Sequence, residues 1–155
     1  MRATGAWLVP TLVAPHGVLA TPGLPDTVVA KARQVVTGHE EMLRRAVRAG
    51  VRIAFGTDAG IVPHGTNPRE LALMQRAWMT PQQVLVAATS SAAELLGLAD
   101  RGRIAPGRLA DLIAVAGDPF DLSTHHDRLR LVLKGGRIAR RFHTSIEPVP
   151  LAGAD

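Results

Sequence analysis

The pattern of apolar and polar positions divides the chain into segments of two rhythms. From residue 26 to about residue 49, Val28, Ala32, Val35, Leu43, Ala46 and Val47 fall on one stripe at helical spacing. Asp26 is placed to cap the start of this helix and Gly50 to stop its end. His39 lies on the same stripe, where packing explains its position. Two short runs follow a different rule. Ala6–Val13 and Val51–Phe55 are mostly apolar over a few residues, and each reads as a strand. Pro10 marks an irregularity or an edge in the first, while the second, bounded by glycines, reads as a strand buried on both faces. Between the first run and the long helix, Pro15, Gly17, Pro22, Gly23 and Pro25 predict a long loop, with His16 as a solvated histidine within it.

Two more helices follow. Asn67 at the cap, Pro68 at the first helical position and Glu70 three residues past the cap predict a capping-box start for a helix to about Ala77. Thr80-Pro81-Gln82-Gln83 repeats the device and opens a helix that ends at Gly97. Trp78 sits just before the second cap, where it either keeps a left-handed helix stop at a cost of about 1 kcal/mol relative to glycine or packs across the helix turn. The last third changes character. Residues 102–107 are turn-rich, 110–115 and 129–133 read as strands, and 137–141 pairs with the latter across Gly135-Gly136 as a hairpin. The adjacent His125 and His126 read as loop, because neighbours in a strand would point to opposite faces. Strands without intervening helices suggest a small sheet appended to an α/β unit.

The stretch that carries chemistry is Gly56-Thr57-Asp58-Ala59-Gly60, directly after the second strand. A carboxylate just past the carboxyl end of a buried strand lies where barrel and open-sheet α/β proteins place their reacting groups. From these residues alone a second reading stands beside it, with Asp58 as a turn or helix-cap carboxylate.

Composition narrows the classes. With 46% hydrophobic and 20% charged residues, the chain of 155 residues is globular and long enough for one ordinary domain. It has no cysteine, which excludes disulfides and thiolate metal sites, fits a reducing cytoplasm and leaves His, Asp and Glu as metal ligands. The formal charge of +5 is spread along the chain with few aromatic neighbours, so nucleic acid is not the expected partner. No apolar run approaches the ~20 residues of a membrane span, and no membrane partner is expected either.

Taken in order, Gly50–Gly60, Asn67–Leu73, Met79-Thr80-Pro81, Ala87–Ala93, Leu96-Gly97-Leu98 and Gly102–Leu112 resemble the carboxyl-terminal part of the metal-dependent amidohydrolase superfamily, in its imidazolonepropionase-like and prolidase-like branch. The resemblance implies an α/β fold. Residues 1–100 would be the last two strands and helices of a TIM-like (β/α) barrel, 101–145 strands of a small β-sandwich, and 146–155 a tail. It also implies that Asp58 binds a divalent metal, zinc being the expected ion, and accepts the proton of the attacking water. His64 lies in a loop that the resemblance turns toward the substrate, and it is assigned to substrate binding.

The chain departs from the family pattern in its ligands. It has no His-x-His pair, and neither of its lysines, Lys31 and Lys134, lies on a suitable strand. One carboxylate does not make a catalytic zinc site, which takes about three protein ligands. The resulting expectation is the carboxyl-terminal portion of a hydrolase of C–N bonds in amides, cyclic amides or dipeptides, inactive by itself. Such a portion could arise as a gene fragment, as one of a pair of complementing chains or as a reduced domain, and its open edge invites a homo-oligomer. The alternative is a non-catalytic assembly module that uses that edge.

Overall fold

The computed structural model describes residues 1–142, so the expected tail at 146–155 and residues 143–145 lie outside the described residues. Strands β1 (Trp7–Leu8) and β2 (Arg52–Ile53) pair in parallel, Trp7 opposite Arg52 and Leu8 opposite Ile53. A parallel pair needs a crossover, here supplied by α1 (Val13–Leu19) and α2 (Asp26–Arg48).

Both strands are shorter than the apolar runs that announced them. The first stops at Leu8, ahead of a buried Pro10 that has no N–H for a ladder and of Thr11 at a φ of 45°. The expectation that the second is buried on both faces is corrected, because Arg52 is exposed. With one neighbouring strand among the described residues, that face is covered by side chains, the Arg52 guanidinium lying 3.9 Å from the Trp7 ring centre and pairing with Glu94. Past β2 the backbone stays anchored, with Ala54 N donating to Leu8 O and Phe55 N to Ala87 O, each at 3.0 Å.

The expected loop at 15–25 begins instead as α1, so His16 sits on a helix, its Nε2 3.7 Å from Glu40 Oε1. Asp26 is the first helical residue of α2 rather than its cap; Pro25, at φ −57° and ψ 144°, holds that position. Ala32, Leu43 and Ala46 bury the stripe read from the sequence, and His39 is half-buried.

Beyond β2 come α3 (Arg69–Arg76) and α4 (Pro81–Val86). The helical course of α4 continues through one π-helical turn at Ala87–Ser91 into α5 (Ala92–Leu95). Trp78 keeps the left-handed conformation at φ 79°, and its ring takes Arg44 and Arg48 of α2 at 5.2 and 5.7 Å. Strands β3 (Leu112–Val115), β4 (Leu129–Lys134) and β5 (Arg137–Arg141) form an antiparallel sheet in that order. The hairpin turns through Gly135 and Gly136 at φ 55° and 77°, the paired positive angles that a two-residue turn demands. Leu122, between β3 and β4, joins Leu12, Leu43, Met74 and Val84 in one core. Among the described residues no helix is long and apolar enough to cross a membrane.

Candidate active-site turn

Asp58 follows β2 by a few residues, in a turn closed by hydrogen bonds from Ile61 N to Asp58 O and from Gly60 N to Val62 O, both at 3.1 Å. It is exposed and left-handed, at φ 48°, a conformation in which aspartate is among the better tolerated side chains. The cap reading of Asp58 is not realised at α3, whose cap is Pro68 without a side-chain hydrogen bond. His64 is exposed in the next turn, which leads into α3.

The start of α3 differs from the expected capping box. Asn67 does not cap it. Its Nδ2 donates to Thr57 Oγ1 at 2.9 Å and its Oδ1 accepts from Gly65 N at 3.1 Å, so Asn67 fastens the residue beside Asp58. Glu70 reaches further. Fully buried, it accepts the N–H of Leu12 on Oε1 at 2.9 Å and that of Val13 on Oε2 at 2.6 Å. Burial pushes its carboxyl up from the ordinary 4.5 to about 7; the two N–H donors pull the other way, and the charge of Asp58 pushes it up further. The reason the box fails is competition. The two free N–H groups at the start of α1 are buried and have no local partner, so they take the carboxylate that α3 would otherwise use on itself.

Sequence reasoning named Asp58 and His64 but gave Glu70 a local role. The missed signal was that Glu70 falls on the inward side of α3 with Leu71, Leu73 and Met74, a place where a carboxylate needs buried partners. As a metal ligand, Asp58 has suitable donor chemistry, a solvent-facing carboxylate at a strand end. Among the described residues no group of three or more His, Asp or Glu side chains converges to complete a site.

A model of the amidohydrolase family matches residues 1–140. The chain belongs to the amidohydrolase family. Within the family it sides with the imidazolonepropionase and prolidase branch. An imidazolonepropionase from Pyrobaculum arsenaticum is 34% identical over 139 residues, which cover 83% of this chain and 32% of that protein. An ochratoxinase from Aspergillus niger is 32% identical over 122 residues, covering 75% of this chain and 25% of that one. The solved structure of a Xaa-Pro dipeptidase with methionine bound in its active site superposes with a TM-score of 0.80 at 38% identity, over 89% of this chain and 35% of that chain. This amidohydrolase chain thus spans about a third or less of the length of these relatives.

Proposed function

We propose that the chain forms the carboxyl-terminal portion of a metal-dependent hydrolase of C–N bonds, with Asp58 as its catalytic carboxylate. The observation that carries this reading is the position of Asp58: past the end of β2, exposed, and not used to cap α3, in a chain of a hydrolase family. β1 and β2 would be the last two strands of a (β/α) barrel and β3–β5 part of a small sandwich. Incomplete burial supports a larger whole: Leu96, Ile104 and Ile113 are 69%, 88% and 60% exposed around a groove of about 720 Å³ between α5 and β3.

A divalent ion, zinc by expectation, would supply Lewis acidity to the substrate and acidify the attacking water. Asp58 would be one of its ligands, the others coming from polypeptide outside these 155 residues. Its carboxylate takes the proton as the water oxygen bonds to the carbonyl carbon, then returns that proton to the nitrogen as the C–N bond breaks. His64, exposed in the turn that follows the Asp58 turn, would contact the substrate and not the reacting atoms. Substrates are amides of small molecules, a cyclic amide or a dipeptide.

The test is a chimaera in which residues 1–140 replace the matching segment of the Pyrobaculum arsenaticum relative. Turnover of that relative's substrate is expected in the chimaera and a loss of at least about a thousandfold in its Asp58→Asn form. An Asp58→Asn chimaera as active as its parent would remove the reading.

A further inference from the structure

The turn that carries Asp58 rests on α1, and α1 does not start on a signal of its own. Leu12 at its cap makes no side-chain hydrogen bond, and Pro15 and Gly17 lie within its seven residues. Isolated helices of that length are marginal even with good helix formers, and glycine costs about 1 kcal/mol more than alanine. Glu70 supplies the missing start from 58 residues away, satisfying the Leu12 and Val13 N–H groups.

The far side of α1 meets the turn itself. Val62 is 5% exposed and seated over Gly17, where a Cβ would collide with Val62 Cγ1. Glycine is required there for close approach rather than for its backbone angles. Val62 O in turn accepts from Gly60 N, and Ile61 N donates to Asp58 O, so Val62 anchors a closed unit from 58 to 62. That unit holds two left-handed residues, Asp58 at φ 48° and Gly60 at φ 123°. A strained turn persists only when its surroundings over-determine it.

We propose that Glu70 is a positioning residue for Asp58: by capping α1 it builds the floor on which the 58–62 turn is held. Asn67 adds a second tie from the same end of α3 through Thr57, so the start of α3 grips both strand-end segments together. The functional meaning rests on the reading of Asp58 given above, whereas the structural coupling is measurable without metal or substrate.

The experiment is amide hydrogen exchange by NMR on the full 155-residue chain. In Glu70→Ala the Leu12 and Val13 amides are expected to lose protection, and the Gly60 and Ile61 amides to accelerate at least tenfold beyond the rise that the global loss of stability gives Val84 and the β4 amides. Glu70→Gln retains the side-chain volume and one accepting oxygen, so it should show the same pattern at smaller amplitude. Gly17→Ala separates cap from floor: Gly60 and Ile61 accelerate while Leu12 and Val13 stay protected. Gly60 and Ile61 accelerated no more than Val84 in Glu70→Ala would reduce Glu70 to a cap for α1 and overturn the proposal. If that variant does not fold, unchanged Gly60 and Ile61 in both Glu70→Gln and Gly17→Ala overturn it equally. An active Asp58→Asn chimaera would sink the catalytic reading and leave these exchange patterns as they are, so the two failures are distinguishable.

Discussion

Helix α4 carries its own start signal, while α1 takes its signal from a residue 57 positions along the chain. At α4, Thr80 Oγ1 accepts from Gln83 N at 3.2 Å and Gln83 Oε1 accepts from Thr80 N at 2.8 Å, a reciprocal pair within four residues, with Pro81 following. At α1 the acceptor is Glu70, and its hydrogen bonds exist only once α3 has docked. A local cap needs only its own four residues in place, whereas a distant one makes a helix conditional on the rest of the fold. The conditional helix is the one beneath the Asp58 turn.

The contrast is broken hardest at Glu70. Glu70→Ala leaves two buried N–H groups without acceptors and should lower stability by about 3 kcal/mol, read as the shift of a urea unfolding midpoint at constant slope. The pH dependence sharpens it. Glu70 has a folded pKa of about 7 against an ordinary 4.5, so its protonated form is favoured on folding. Its contribution is complete below about pH 4.5 and is lost as pH rises to about 7, making the chain less stable at pH 8 than at pH 5 by roughly 3 kcal/mol. Unfolding curves across that window should show the fall, and in Glu70→Gln it should vanish. The cap of α4 contains no titrating group and adds no slope.

Thr80→Ala is expected to cost about 1 kcal/mol, with its effect on hydrogen exchange confined to α4. Combined with Glu70→Gln it should be additive, since the two caps share no hydrogen-bond partner. The smallest effect is at the junction before α4. Trp78→Gly relieves a left-handed cost of about 1 kcal/mol but gives up stacking beneath Arg44 and Arg48, worth about 0.5–1 kcal/mol each at exposed sites. A net change within about 1 kcal/mol should appear in thermal unfolding.

The same contrast explains what could be read from the chain. The Thr80–Gln83 box, the Gly135-Gly136 hairpin and the stripe of α2 are legible because spacing within a few residues decides each. The strand end carrying Asp58 was legible too, through its glycines and the ordered motifs around it. The helix at 13–19 was not, since proline and glycine spell a loop locally and the carboxylate that overrules them lies on α3. Glu70 was misread for the same reason. Its offset from Asn67 is right for a capping box, and only packing reveals that a different helix receives the hydrogen bonds. Trp7 and Arg52 show a second kind of miss, an exposed strand face covered by a stacked pair where apolar runs had suggested burial.

The π-helical turn at Ala87–Ser91 sets how the chain tolerates length changes. Such a turn carries one residue more than an α-helix would use, and each residue advances a helix by about 100°. Deleting one residue there would take out the surplus, restore uniform α-helix and leave everything after it on nearly the same face, whereas the same deletion within Pro81–Val86 would swing the rest around the axis by that angle. In that second case Glu94 would rotate away from Arg52, and Ala93 would leave its place against Gly102, which already sits too close to accept a Cβ. A codon lost at the π-turn is absorbed, while a codon lost from the regular helix before it would unhook β2 from the helix behind it.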